Sequence, residues 1–296
     1  MIRKAVILCG GLATRFLPYS KAVPKEMLPI VDKPIIHYLI EDLSKNGIKD
    51  ILIITNRNKD CMENYFDKNT DMEDRLTLSN KPELLNKIKD IPNMANVYFI
   101  RQVEPKGTGH ALMKAKSFIG NEPFYMCFGD ELFYNKDNSL LNQMLKAYEQ
   151  NNAPNLIACK RVPIKEVYKY GVARIEGDKS TQFANPSTKP VMHKVLEFVE
   201  KPKIEEAPSN LSYLGPTILS PEIFDILPKV KPNGLETLLP DAFPFLYNAN
   251  KLYALEVAGE RLDIGSPLGF VKANLFFALQ DDDYKADLLN YINSLK

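Results

Sequence analysis

Short apolar runs alternate along this chain with stretches in which apolar residues return every three or four positions. Residues 5–9 form a continuous apolar run that breaks at Gly10-Gly11, the pattern of a buried strand. Pro34 suits the first turn of a helix, Ile36, Leu39, Ile40 and Leu43 recur at helical spacing, and Gly47 is a fitting stop. Residues 50–55 are apolar and β-branched, so the chain opens as strand, loop, helix, strand: a βαβ unit. The alternation continues with a helix over 58–66, a strand over 97–102, a helix over 108–118, a strand over 124–128, a helix over 140–148 and an extended segment over 156–159. This predicts an α/β fold in three layers, with a mostly parallel mixed sheet covered on both faces, and ligands beyond the C-terminal strand ends. Residues 67–96 are polar and weakly patterned and read as an insertion carrying one or two short helices. Beyond Pro163, strands over 172–175, 195–199 and 253–257 mix with helices over 221–227 and 267–279. The expected organisation is a single domain over 1–280 and a helical tail over 281–296.

Charge narrows the range of partners. The 38 Lys and Arg residues are balanced by 37 Asp and Glu, and a net charge of +1 sets up no field for nucleic acid or an anionic membrane. Any attraction for phosphate must come from locally placed groups. The four cysteines, Cys9, Cys61, Cys127 and Cys159, form no C-x-x-C pair, and Cys9 and Cys127 lie in apolar runs, which points to a reducing compartment. His37, His110 and His193 are scattered and do not make a zinc site. The N-terminal apolar stretch is too short for a membrane span and lacks a signal-peptide pattern, so the expected location is cytoplasmic.

The densest chemical signal follows the first strand directly: Gly10-Gly11-Leu12-Ala13-Thr14-Arg15-Phe16-Leu17-Pro18, continuing to Pro24-Lys25-Glu26-Met27-Leu28-Pro29. Glycines there let backbone N–H groups approach phosphate, and Arg15 and Lys25 add positive charge. A bare Gly-Gly after a strand is more often only a turn, but here two cations and Glu26 share one proline-pinned loop. Neither G-x-G-x-x-G nor the P-loop G-x-x-x-x-G-K-[ST] is present. Asp130 follows an apolar strand at the ligand edge, and Asp263 precedes Ser266-Pro267, a helix start. Taken singly, each aspartate is an ordinary turn or cap residue. Gln102 carries a donor and an acceptor on one fork, which suits a pyrimidine edge, although a structural glutamine is the plainer reading. His110 opens a helix and is assigned to packing or capping.

The loop, with the following Ile30-Val31-Asp32-Lys33-Pro34, closely resembles the signature of the bacterial UTP–glucose-1-phosphate uridylyltransferases, within the sugar nucleotidyltransferases. Further matches follow in order: Arg101-Gln102, Lys106-Gly107-Thr108-Gly109-His110-Ala111, Phe128-Gly129-Asp130, Tyr170-Gly171-Val172, Phe198-Val199-Glu200-Lys201-Pro202, Ala207-Pro208-Ser209-Asn210-Leu211 and Asp263-Ile264-Gly265. The resemblance implies a Rossmann-like nucleotidyltransferase core and a homo-oligomer. It implies formation of UDP-glucose and pyrophosphate from UTP and glucose 1-phosphate by in-line attack of the sugar phosphate on the α-phosphorus. It assigns Gly10, Gly11, Leu12, Ala13, Thr14, Glu26, Gln102 and Gly107 to the nucleotide, and Gly171 and Glu200 to the sugar. Arg15, Lys25 and Lys201 are assigned to catalysis, and Asp130 and Asp263 to Mg²⁺. Ala13 departs from the family's second glycine, Gly215-Pro216 from its Gly-Arg, and residues 235–241 from its G-E-I-Q-L-T-D.

Three other readings remain. A sister enzyme could use dTTP or another sugar phosphate, although Glu26-Met27 favours the uridylyl branch over the Gln-Leu of the thymidylyl branch. A sugar-nucleotide-binding paralogue without turnover is disfavoured by the retention of Lys25, Asp130, Lys201 and Asp263. A nicotinamide-dependent oxidoreductase would need the absent glycine fingerprint.

Overall fold

A computed structural model describes residues 1–177 and 189–295. In chain order the strands are β1 (Lys4–Leu8), β2 (Pro29–Ile30), β3 (Lys33–Pro34), β4 (Asp50–Thr55), β5 (Asn96–Arg101), β6 (Phe124–Phe128), β7 (Leu132–Tyr134), β8 (Asn155–Arg161), β9 (Gly171–Ile175), β10 (Val191–Glu200), β11 (Leu211–Leu219), β12 (Leu252–Glu256) and β13 (Glu260–Leu262). Nine of them form one sheet in the order β5-β4-β1-β6-β11-β8-β12-β10-β9. Strands β5, β4, β1 and β6 pair in parallel. Strand β11 runs antiparallel to β6 and β8, β12 parallel to β8, and β10 antiparallel to β12 and β9. Only β11 and β10 are therefore reversed, and the sheet is mixed with one dominant direction, as expected.

Strand β1 shows why there are three layers. Successive side chains alternate across a strand. Ala5, Ile7 and Cys9 pack into one buried cluster with Ile36, Ile40 and Leu43 of helix Ile35–Lys45. Val6 and Leu8 pack into another with Ala111, Leu112, Phe224 and Phe243. Each face of the sheet thus has its own core, and helices close both.

The parallel strands end together on one edge. Gly10 lies just past β1, Asn56 past β4, Gln102 past β5 and Asp130 past β6. Parallel pairing of Leu8 with Ile54 and of Ile54 with Ile100 brings these ends side by side.

The structure bears out the short helices of the insertion and departs from the periodicity at one helix and one strand near the site. The helix expected over 108–118 is split into Gly107–Met113 and Lys116–Ile119. Between them Lys114 and Ala115 donate to the carbonyls of Ala111 and Leu112, the tighter i→i+3 pattern. The insertion carries helices Thr70–Leu78 and Pro82–Ile88. Strand β11 has no counterpart among the expected elements, because Gly215-Pro216 lies in its middle. Proline cannot donate to a ladder, and the pairing with β8 shifts register between Tyr213 and Thr217. Gly215 absorbs the bend at φ +113°, and the Tyr213 hydroxyl donates to the Gly215 carbonyl. Among the described residues no helix is long and apolar enough to cross a membrane.

Candidate active site

The glycine loop is held from beneath. Lys59, at the N-terminus of helix Asp60–Phe66, donates to the carbonyls of Cys9 at 2.5 Å and Gly11 at 3.1 Å. Asn56 donates to the carbonyl between them, that of Gly10, at 2.6 Å. With these three carbonyls turned inward, the N–H groups of Gly10, Gly11, Leu12 and Ala13 donate to nothing among the described residues. A run of free amides in an exposed glycine turn is an anion cradle. Ala13 sits in the left-handed region at φ +52°, where glycine meets no steric cost.

Glu26 reaches this loop from below. It has no exposed surface, and its two carboxylate oxygens accept from Lys59 at 2.9 and 3.0 Å. Burial raises its pKa, against the lowering pull of Lys59 and Lys25. The resemblance assigns Glu26 to the nucleotide, whereas here its carboxylate is spent on Lys59. The chemistry it can do is to neutralise a cation that ties down the loop. Lys59 and Asn56 were not legible as functional from the sequence. Their place at the C-terminal end of β4, next to β1, was the available signal.

One ion pair and a nearby guanidinium frame the open side. Lys25 makes a very short ion pair with Asp130, each side chain about one-fifth exposed, and its Nζ lies close to Gly11. Burial lowers the Lys25 pKa, but Asp130 and Glu26 outweigh it and the net direction is up, so the ammonium is firmly charged. Arg15 follows the loop on a helical turn whose Phe16 is buried edge-on against Phe270, ring centroids 6.2 Å apart. That contact docks the loop on helix Pro267–Ala278, capped by Ser266. It brings the Arg15 guanidinium against Gly265, the glycine whose N–H donates to the Asp263 carboxylate at 3.0 Å. Glu131, bound to Arg261 at 2.8 and 3.1 Å, has a pKa raised by burial against the pull of Arg261, and Asp130 and Asp263 raise it further. The charges of Asp130 and Asp263, 133 residues apart in the sequence, thus both act on Glu131.

Among the described residues no three His, Cys, Asp or Glu side chains converge on a metal cage. The donor set fits Mg²⁺ in another way. That ion binds through one or two carboxylates and completes its shell with substrate phosphates and water. Asp130, already neutralised by a cation, and Asp263 are the residues that would hold it.

Gln102 is 6% exposed, and its Nε2 lies 3.1 Å from the Gly107 carbonyl and 3.0 Å from His110 Nδ1. Its Oε1 borders Gly10 so closely that a Cβ there would stand 2.9 Å away. Gly107 has φ +90°, and a Cβ on it would collide with the Thr237 backbone. Thr237 also donates to the Lys106 carbonyl and accepts from Gly109 N–H, at 3.0 and 2.9 Å. The segment over 235–241, which departs from the family pattern, thus packs on helix Gly107–Met113.

Across the cleft, a cavity of about 340 Å³ is lined by Thr108, Phe128, Gly171, Glu200, Lys201 and Arg261, among others. Gly171 has no room for a side chain, since a Cβ would overlap Phe198 and stand 2.7 Å from Glu200 Oε2. Lys201 is exposed, at φ +46°, with its Nζ 3.6 Å from Glu200 Oε1. Burial raises the Glu200 pKa despite Lys201. Of the residues singled out from the sequence, Glu200, Lys201 and Gly171 thus gather at this second pocket, Lys25 and Asp130 pair beside the loop, and Arg15 stands against Gly265. Thr14 and Leu12 are exposed on the loop itself.

Comparison with known proteins gives a consistent set of relatives. The model of the family described as "Nucleotidyl transferase" matches residues 4–280. A UTP–glucose-1-phosphate uridylyltransferase of Staphylococcus saprophyticus is 40% identical over 296 residues, covering 100% of this chain and 98% of that protein. One from Staphylococcus epidermidis is 41% identical over 295 residues, covering 99% and 98%. The structure of a UTP-bound UGPase from Acinetobacter baumannii superposes with a TM-score of 0.89 at 33% identity, covering 100% of both chains. A UDP-glucose pyrophosphorylase complexed with UDP-glucose does so with a TM-score of 0.82 at 36% identity, covering 95% of this chain and 100% of that one.

Proposed function

This chain belongs to the nucleotidyl transferase family, and from that premise we propose that it is a UTP–glucose-1-phosphate uridylyltransferase, making UDP-glucose and pyrophosphate. The observation that carries the reading is the run of free amides from Gly10 to Ala13, with Lys25 and Arg15 on the same loop and a separate pocket lined by Lys201 and Glu200. A triphosphate site and a sugar-phosphate site on one strand-end cleft are what nucleotidyl transfer needs.

A phosphate oxygen of glucose 1-phosphate attacks the α-phosphorus of UTP. The new P–O bond forms as the bond to the β-phosphate breaks, and pyrophosphate leaves with that electron pair. The nucleophile is already an anion, so no general base is required. The residues contribute by positioning and charge neutralisation. The loop amides hold the triphosphate, and Arg15 neutralises charge developing on the leaving pyrophosphate. Lys25, kept charged by Asp130, stands beside Gly11 and faces the reacting phosphates. Lys201 holds the attacking phosphate in line, and Glu200 accepts from sugar hydroxyls beside the bare backbone of Gly171. Bound to Asp130 and Asp263, Mg²⁺ would supply charge neutralisation shared by the two substrates. Glu26 acts from beneath, through Lys59.

The test is pyrophosphate release with each nucleoside triphosphate and several sugar 1-phosphates. UTP with glucose 1-phosphate is expected to give the highest kcat/KM. Preference for dTTP would move the protein to a sister activity, and no release with any pair would remove the enzymatic reading.

A further inference from the structure

We propose that His110 is a positioning residue for base choice: it holds the Gln102 amide with Oε1 outward, as the acceptor that uracil N3–H requires and that the bare N3 of cytosine opposes. The inference rests on the proposed uridylyl activity and on the family resemblance, which assigns Gln102 to the nucleotide.

The polarity of the contact follows from the Gly107 carbonyl. A carbonyl can only accept, so the group 3.1 Å from it must be the amide nitrogen of Gln102, not its oxygen. The same nitrogen lies 3.0 Å from His110 Nδ1. It carries hydrogens and has no lone pair to offer, so Nδ1 must be bare and the imidazole neutral with its proton on Nε2. Burial and the cations of Lys114 and Lys106 lower the His110 pKa, which favours that neutral form. Both Gln102 N–H groups are then occupied. Oε1 accepts no hydrogen bond from the described residues, yet is not among the buried polar atoms without a partner, so it keeps solvent access. It points along Gly10, at the root of the phosphate loop.

The frame around this triad is rigid. Gly107 is held against the Thr237 backbone in a conformation open only to glycine. The Gln102 backbone N–H is fixed to the Thr55 carbonyl at 2.8 Å. Uracil presents a donor at N3, whereas cytosine presents a lone pair there. An amide free to turn would serve either base; one held at Nε2 by two acceptors favours uracil, because its Oε1 would face a lone pair at cytosine N3.

The experiment measures kcat/KM for UTP and CTP, with glucose 1-phosphate, in wild type, Gln102→Ala, His110→Phe and His110→Asn. Asn Oδ1 falls where His Nδ1 was and keeps the acceptor, while Phe keeps the bulk and loses it. Gln102→Ala is expected to narrow the UTP-over-CTP ratio by about tenfold or more, and His110→Phe by about fivefold, the worth of one hydrogen bond. His110→Asn should stay close to the wild-type ratio. An unchanged ratio in folded His110→Phe, with a narrowed one in Gln102→Ala, overturns the role of His110 and leaves the base-reading role standing. An unchanged ratio in Gln102→Ala removes the base-reading role itself. If His110→Phe does not fold, ¹⁵N NMR of wild-type His110 decides: a bare Nδ1 with protonated Nε2 supports the inference, and a proton on Nδ1 overturns it.

Discussion

Glu26 has no exposed surface and its partner Lys59 only 6%, while across the cleft Lys201 is 62% exposed and the Glu200 side chain one-third exposed. Both are Glu–Lys pairs beside a substrate cleft, but they do different work. The first lies under the loop, between the ends of parallel strands, and each of its polar atoms on the page is spent on backbone or on its partner. The second lies at the end of β10, on the reversed-strand side of the sheet, with its atoms 3.6 Å apart and open to solvent. A buried pair set into backbone builds a site before any ligand arrives. An exposed pair contributes little to the fold and keeps its charge available for a ligand.

The comparison breaks first at Lys59. Lys59→Met leaves the Glu26 carboxylate buried without its partner and frees the Cys9 and Gly11 carbonyls. Removing one member of a buried pair costs about 3–5 kcal/mol, so a loss of that order is expected in urea denaturation. Adding Glu26→Gln should recover part of it, because the stranded charge is gone. A single variant as stable as wild type would show that the pair does not hold the loop.

The next largest effect belongs to the exposed pair, and it should appear in substrate use, not stability. Lys201→Ala removes a charge-assisted contact worth about 1.5–3 kcal/mol, or roughly ten- to a hundredfold in the KM for glucose 1-phosphate. Thermal stability and UTP affinity by calorimetry should hold. Loss of UTP affinity with an unchanged sugar-phosphate KM would reverse the assignment of the two sides.

The smallest effect sharpens the nucleotide side alone. Ala13 occupies the left-handed region, which costs a side-chain-bearing residue about 1–2 kcal/mol, while glycine in its place adds entropy to the unfolded chain. The two terms partly cancel, so Ala13→Gly should raise stability by no more than about 1 kcal/mol, read from the denaturation midpoint. A clear destabilisation would mean that the Ala13 methyl makes a packing contact that outweighs the strain.

Much of this molecule was legible in its sequence because the signals were local. The run over 5–9 ending in glycines became β1 and the loop, and the expected strand over 124–128 coincides with β6. Strand β11 was hidden by Gly215-Pro216, since a proline argues against a central strand unless a register shift removes the need for its N–H. His110 read as a packing or capping residue because no local pattern marks a side chain whose partner, Gln102, lies on another element.

What the sequence alone determined, then, was the α/β alternation, the glycine loop with its cations, and the motifs that mark the family, all carried by residues close in the chain. The tertiary structure decided which polar groups meet. Lys59 reaches Glu26 and the loop carbonyls, Lys25 pairs with Asp130, and Thr237 clamps Gly107. The reason is physical: parallel pairing brings distant strand ends to one edge, and burial there makes each buried charge and donor find a partner that sequence spacing does not specify.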